Sequence, residues 1–581
     1  MLVQQLQAIF ALLTVFLTHS VFALPKITRT GKYLYDESGK RFFIKGIAYQ
    51  EQGEIASDPN DPHASFLEPS DFIDPLALSD ACRRDLPYLQ ELGVNTLRVY
   101  SVDSRLNHDE CMNLLSQAGI YVTIDLSLPL NGSIDRTAPA WSTNVLDLYT
   151  SSIDVFEKYD NVLAYNIGNE VVVGTVTQIS PYVKAAARDI KAYLKSKGSK
   201  TLVGYSAING AANWRQPFAN YLTCDPSSSN LDDTAIDLFG LNNYEWCGSS
   251  GSYSTTTNLF SNYNVALYFS EYGCIRNRPR TWAEVAGLFS AETSAVWSGG
   301  IAFSYFPRES VGLGDYGMVT ISADNTTVTT SAEFDSLKTA YGAVTFVDTP
   351  AQSASPASTY PSCPVADQAF LASTTLPGTP SADACACLER SLSCQFTITD
   401  DNYSKKLGET IGVACNLLGA AGESCDDIGG DGQAGVYGRV AGCHPLIKAS
   451  YVMTKYYEST NRDPGACSFG GNGTIATTTT QSGLPALAAA ASSCIPSPNA
   501  VFVPKAASTG TTPGGSGGNG GSGGGGNGGN GGNGNGGNGG NGGNGGNNTG
   551  GASGLITGSS TMFGLSVVTV AAVLSGVLLA V

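Results

Sequence analysis

Apolar residues in this chain gather into short runs rather than long stripes. Eight runs of β-type composition recur between residues 42 and 305: Phe42–Tyr49, Thr96–Ser101, Tyr121–Leu126, Val162–Ile167, Thr201–Tyr205, Leu238–Tyr244, Val265–Ser270 and Gly300–Tyr305. Helix-like stretches lie between several of them, for example Ser79–Leu92 and Tyr182–Lys197. Continuous rather than alternating hydrophobicity belongs to strands covered on both faces, and alternation with helices points to a parallel sheet. Eight such units over roughly 300 residues predict a (β/α)8 TIM barrel. The alternative is an open doubly wound sheet, but no glycine-rich phosphate loop follows the first run.

Both ends of the chain are apolar in a different way. Leu6 to Val21 forms an apolar run, and Val21-Phe22-Ala23 supplies small residues ahead of Leu24-Pro25. This is the pattern of a secretory signal over residues 1–23, although Met1 to Gln7 contains no Lys or Arg. A buried first helix is the alternative. Met562 to Val581 is apolar and uncharged, preceded by the small residues Asn548 to Ser553 and a polar spacer. That order predicts a GPI-attachment signal over residues 553–581, removed on attachment, with Asn548 and Ser553 as candidate attachment residues. A single-span tail anchor is the alternative. Between the ends, residues 24–346 form the expected barrel and 347–375 a Pro/Ser/Ala linker. Residues 376–500 form a cysteine-rich module, and the Gly/Asn/Ser tract of 501–552 is a disordered spacer that cannot bury a core.

Composition narrows the chemistry. Fourteen cysteines and five Asn-x-Ser/Thr sequons (Asn131, Asn325, Asn402, Asn472, Asn547) fit an oxidising, glycosylating route. No Cys-x-x-Cys occurs, and Cys385-Ala386-Cys387 lacks the paired knuckles and histidines of a zinc site, so disulfides are expected. A net charge of −17 argues against nucleic acid or a polyanionic substrate and is compatible with a neutral glycan. Without His-Glu-x-x-His, and with only His63, His108 and His444 after the signal, metalloprotease and Ser-His-Asp readings fail. No metal or organic cofactor is implied.

In a barrel of this kind the chemistry sits where strands end and βα loops begin. Those positions hold Tyr49-Gln50, Arg98 to Asp103, Asp125, Gly168-Asn169-Glu170, Asn242-Asn243-Tyr244, Glu271-Tyr272 and Tyr305. Aromatics, amides and carboxylates at one rim suit sugars, whose C–H faces stack on rings and whose hydroxyls need fixed partners. Glu170 and Glu271 are 101 residues apart, about three βα units at ~30–35 residues each. They belong to strands four and seven, facing across the mouth. Opposed carboxylates permit glycosidic cleavage, one protonating the departing oxygen while the other supports positive charge at the sugar carbon. By spacing alone, ordinary ion-paired glutamates are the competing explanation. Trp141, Trp214 and Trp246 are candidate sugar platforms or packing residues.

Tyr165 to Glu170, Asn95 to Tyr100 and Ser270 to Cys274 together resemble the fungal GPI-anchored β-1,3-glucanosyltransferases, glycoside hydrolase family 72. The resemblance covers residues 25 to about 495 and both terminal signals. It implies a retaining enzyme with Glu170 as acid/base and Glu271 as nucleophile. Asn169 is implied to bind the 2-hydroxyl, Tyr244 to orient the nucleophile, and Gln50, Tyr100 and Tyr305 to line donor subsites. Arg98 is implied to support the ionised nucleophile, its alternative being an ion pair with Asp103 or Asp125. A retaining pair carries its carboxyl groups ~5–5.5 Å apart.

Cys385, Cys387, Cys394, Cys415, Cys425, Cys443, Cys467 and Cys494 form a set of eight, which allows 105 pairings. The opening Cys-x-Cys and Cys467 to Gly473 resemble the eight-cysteine glucan-binding module of plant and fungal wall proteins. The resemblance implies Cys385–Cys443, Cys387–Cys494, Cys394–Cys467 and Cys415–Cys425, with Cys82–Cys111, Cys224–Cys363 and Cys247–Cys274 in the catalytic part. Nine residues separate Cys415 from Cys425, longer than the usual loop. The expected partners are β-1,3-glucan donor and acceptor chains. No nucleic acid is expected, and the membrane is met through the GPI anchor alone, at the outer face of the plasma membrane or in the wall. The oligomeric state is open, a monomer being the expectation. The expected reaction is internal cleavage of a β-1,3-glucan and transfer of the new end to another chain. The alternatives are a β-1,3-glucanase or a non-catalytic glucan-binding wall protein.

Overall fold

A computed structural model describes residues 23–52, 72–129, 132–310, 314–399, 403–477 and 482–506. The signal, the glycine-rich tract, the C-terminal apolar segment and the sequons Asn131, Asn402 and Asn547 lie outside them. Of the other sequons, Asn325 is exposed and Asn472 half-buried.

A hairpin, β1 (Thr28–Thr30) and β2 (Tyr33–Tyr35), precedes eight parallel strands. These are β3 (Ile44–Ala48), β4 (Thr96–Val99), β5 (Tyr121–Asp125), β6 (Val162–Asn169), β7 (Leu202–Ile208), β8 (Leu238–Asn242), β9 (Ala266–Tyr272) and β10 (Gly299–Ala302). They close in sequence order, β10 pairing with β3, so the chain is a (β/α)8 barrel and not an open sheet. Strand residues are buried on both faces because helices cover the outside and side chains fill the inside. That is why their sequences read as unbroken apolar runs.

The interior is layered. Toward the amino ends of the strands Ile27 and Leu34 of the leading hairpin join Ile44, Leu163, Leu202, Leu238 and Ile301 in one apolar cluster. Above them lies a polar layer of Arg98, Asp125, Asn166 and Ser206. Gly204 makes room for it, since a Cβ there would lie 2.6 Å from Asn166 Oδ1. Pairing registers slip near the carboxyl ends, between Asn166 and Asn169, Gly240 and Asn242, and Gly300 and Ala302. Such slips re-aim side chains at barrel rims.

Residues 347–375 carry one short turn of helix, Gln352–Ala354, and lie against the barrel. Cys224–Cys363 pins them, with Arg29 donating to Ser358 and Tyr360, and Phe370 buried against Tyr221. The cysteine-rich module has its own core around helices Ala382–Glu389, Tyr403–Ala420, Pro445–Ser459 and Leu484–Cys494. Disulfides Cys385–Cys443, Cys387–Cys494, Cys394–Cys467 and Cys415–Cys425 staple it, while Cys82–Cys111 and Cys247–Cys274 brace the barrel.

Module and barrel are welded through residues 373–381. Arg188 donates to the Pro377 carbonyl, Thr379 Oγ1 donates to Asp189 at 2.8 Å, and Tyr437 packs edge-on against Tyr182. After Cys494 the chain returns to this seam. Thr379 exchanges hydrogen bonds with Ala500 and Phe502, and Lys505 pairs with Asp383. A cavity of about 210 Å³ remains at the seam, lined by Trp141, Tyr182, Arg439 and prolines.

Candidate active site

The polar layer opens upward into two carboxyl groups. Glu271 is the penultimate residue of β9 and is 8% exposed; Glu170 follows β6 in a half-open position. Glu170 has φ of +52°, a left-handed conformation uncommon for a non-glycine residue. Strain of this kind costs of order 1–3 kcal/mol and persists only where neighbours enforce it. Here Glu170 N donates to Ser206 O, and Arg136 donates to the carbonyls of Glu170 and Val171.

Glu271 is held by three donors. Tyr100 OH reaches Oε1 at 3.0 Å, Arg98 Nη1 reaches the same oxygen at 3.2 Å, and Tyr244 OH reaches Oε2 at 2.8 Å. Glu170 receives one, Asn242 Nδ2 to Oε1 at 2.8 Å. Arg98 is fully buried and grips Asp125 with two parallel bonds, Nε to Oδ1 at 3.2 Å and Nη2 to Oδ2 at 2.7 Å. Its guanidinium lies 4.2 Å from the Tyr100 ring. Arg98 therefore reaches Asp125 and Glu271 at once. Asp103 is not its partner and binds Arg105 instead.

Asn169 Oδ1 accepts from Arg98 Nη2 at 2.9 Å and from Asn242 Nδ2 at 3.1 Å. With its oxygen accepting both bonds, the Asn169 amide nitrogen is turned the other way. Asn242 is the hub of the set. Its amide nitrogen serves Glu170 and Asn169, while its oxygen accepts from Ser270 Oγ at 2.7 Å and Arg98 Nη1 at 3.4 Å.

Burial lifts both carboxyl groups. Glu271 is pushed up to about 7, Arg98 working against the burial and Glu170 adding to it. Glu170 is raised by burial, opposed by Asn242, Arg136 and Arg98. Because the Glu170 charge adds to the upward push on Glu271, the two carboxyls titrate as a pair. The contacts are unequal: three donors, one of them cationic, reach Glu271 and one reaches Glu170, which favours the charge on Glu271.

Two expectations follow from this electrostatics. Carboxyls whose folded pKa is raised stabilise the fold below their unfolded value near 4.3, and that contribution is lost as pH rises toward about 7. Glu170→Gln keeps the Asn242 contact but removes a carboxyl whose charged form burial disfavours. It is expected to raise the melting temperature by about 2 °C above pH 7, where wild type must ionise both carboxyls, with the gap closing toward pH 4; calorimetry across that range checks it. Asn242→Ala deprives Glu170 and Asn169 of a common donor. It is expected to lower kcat about 10- to 100-fold with little change in KM, read by steady-state kinetics.

Not every expected residue joins the site. Gln50 lies beside Tyr100, but its amide is engaged by backbone, accepting from Tyr100 N and Ser101 N and donating to the Glu51 and Ile73 carbonyls. Tyr305 does not reach the carboxyls. It is fully buried, and its hydroxyl donates to Asp85, which also holds Tyr49. The strand-eight residue at the site is Phe303, edge-on to Tyr100, Tyr244 and Tyr316. Trp141 is core, donating to Asp189; Trp214 is buried, and Trp246 packs against Tyr253. Asn242, Arg136, Phe303 and Tyr316 received no role in the sequence. Asn242 stands two residues before Tyr244 at a strand end, a signal of sorts; Tyr316 lies in the loop beyond β10 and gave none.

Comparison with known proteins gives the following. The glucanosyltransferase family (glycoside hydrolase 72) matches residues 18–345, and the X8 domain matches residues 392–474. The 1,3-beta-glucanosyltransferase gas1 of Schizosaccharomyces pombe is 39% identical over 464 residues, 78% of this chain and 79% of that one. The 1,3-beta-glucanosyltransferase GAS2 of Saccharomyces cerevisiae is 38% identical over 446 residues, 74% and 76% of the two chains. The solved Saccharomyces cerevisiae Gas2p, a glutamate-to-glutamine mutant without ligand, superposes with a TM-score of 0.70 at 34% identity, covering 81% of this chain and 97% of that one. The same mutant with laminaritetraose and laminaripentaose gives 0.68 at 34%, covering 80% and 98%.

Proposed function

The chain belongs to the glycoside hydrolase family 72 glucanosyltransferases, and we propose that Glu271 and Glu170 carry its reaction by retaining double displacement. It is a 1,3-β-glucanosyltransferase acting on β-1,3-glucan chains. The observation that carries the assignment of roles is the donor asymmetry, three hydrogen bonds to Glu271 against one to Glu170.

Glu271 attacks the anomeric carbon of an internal linkage while Glu170 gives its proton to the leaving oxygen. The fragment carrying the reducing end departs, and its place is taken by the 3-hydroxyl of an acceptor glucan. Glu170 now takes that hydroxyl's proton, and the acceptor displaces Glu271 with net retention. Asn169 donates to the 2-hydroxyl, a contact that tightens as the sugar flattens. Tyr100, Tyr244, Phe303 and Tyr316 form an aromatic wall beside Glu271. Such a wall excludes water from the covalent intermediate and favours transfer over hydrolysis.

The remaining roles are also proposals. Residues 1–23 are removed on secretion, and residues 553–581 are exchanged for a GPI anchor at the outer face of the plasma membrane, beside the wall. The X8 module adds glucan contact. Among the described residues no helix is long and apolar enough to cross a membrane.

Purified protein incubated with reduced laminari-oligosaccharides tests the activity. Products longer than the substrate are expected. Shorter products alone would make it a hydrolase, and unchanged substrate a binding protein.

A further inference from the structure

The first described residues are bound more tightly than a chain end ordinarily is. Leu24 N donates to Asp160 Oδ2 at 2.7 Å, and Asp160 Oδ1 accepts from Ser116 Oγ at 2.8 Å. Pro25 O accepts from Tyr121 OH, Lys26 Nζ reaches the Tyr159 carbonyl at 3.5 Å, and Ile27 is buried in the cluster at the amino end of the barrel. Asp160 stands two residues before β6, the strand that ends in Asn169. Ala23, one residue upstream, is exposed. Other charged groups lie around this segment: Lys26 feels both Glu157 and Asp160, its backbone N donates to Glu37 Oε1 at 3.1 Å, and Asp36 and Glu37 act with Asp160 on the Tyr121 hydroxyl.

We propose that the Asp160 carboxylate is a preformed receptor for the α-ammonium group of Leu24, created when the secretory signal is cut between Ala23 and Leu24. Hydrolysis of that peptide bond consumes one water. The hydroxyl goes to the Ala23 carbonyl carbon and the hydrogen to the Leu24 nitrogen, which takes a further proton from solvent. A neutral amide donor thereby becomes a cation in place, and a neutral hydrogen bond becomes a charge-assisted one. The backbone need not move, because the nitrogen already lies at hydrogen-bond distance. Cleavage one residue earlier or later would put the cation about 3.5 Å along the chain, out of register with Asp160. Maturation is thus read out by the fold as an ion pair that seals the base of the barrel.

The test uses the full secreted protein. Mass spectrometry of its N-terminal peptide is expected to give Leu24 as the first residue; any other start overturns the proposal. Melting temperatures are then compared for the mature protein and a version processed to carry one extra alanine, each with and without Asp160→Asn. The extra alanine is expected to lower the melting temperature by about 1–3 °C when Asp160 is intact and to have no effect in the Asp160→Asn background. The asparagine keeps the hydrogen-bonding shape, so folding is preserved. Equal effects in the two backgrounds would show that the terminus is held by packing and not by charge.

Discussion

Replacing Glu271 with glycine is expected to lower glucan transfer by about 10⁴-fold or more, and azide is expected to restore turnover with an α-glucosyl azide as product. The small anion occupies the space of the lost carboxylate and attacks the face that Glu271 covers, so configuration inverts once. Glu170→Ala should behave differently. Glu271 still forms the covalent intermediate when the leaving group is activated, and azide entering on the Glu170 side gives a β-glucosyl azide with retention. The two anomers are told apart by NMR of the product. Exchange of the two outcomes would reverse the roles drawn from the donor count at Glu271.

Arg98→Met is expected to be the most destabilising substitution in the site. Arg98 is buried among Asp125, Glu271, Asn169 and the Ser270 carbonyl. Removing one partner of a buried ion pair costs about 3–5 kcal/mol, because the other charge is left without compensation. The pH dependence has a definite sign. Arg98 holds Glu271 down against burial, so without it the folded pKa of Glu271 rises further. A raised folded pKa stabilises below the unfolded value near 4.3, and that gain is lost as pH rises. The variant should lie closest to wild type near pH 4 and fall away toward neutrality. Urea titrations at several pH values check this; a penalty constant with pH would mean lost packing, not lost charge.

The barrel was legible because its signal is repetitive. Each strand is buried on both faces, so each wrote an apolar run, and eight runs fix the architecture. Glu170 and Glu271 were legible because strand ends face the mouth. The rest depended on where a hydroxyl or amide turns, which linear order does not encode. Tyr305 and Phe303 sit two residues apart beyond β10, yet one ends at Asp85 in the core and the other beside Tyr244. Gln50 stands beside Tyr100, but its amide is taken up by backbone. Asn242 matters through four neighbours drawn from three other strands, and Arg136 through two carbonyls some 35 residues away in sequence. Contacts of that order exist only once the strands are closed.

The return of the chain to the seam after Cys494 has a mechanical consequence. Tension applied beyond residue 506 first meets Lys505–Asp383, then the Phe502 and Ala500 bonds to Thr379. These bonds can peel one after another and reform. The next stop is covalent, Cys387–Cys494 inside the module, and behind it Cys224–Cys363 fastens the approach to the barrel. The segment 495–506 therefore acts as a sacrificial clasp. Pull arriving from beyond residue 506 is spent there before it reaches the strand registers around Glu170 and Glu271.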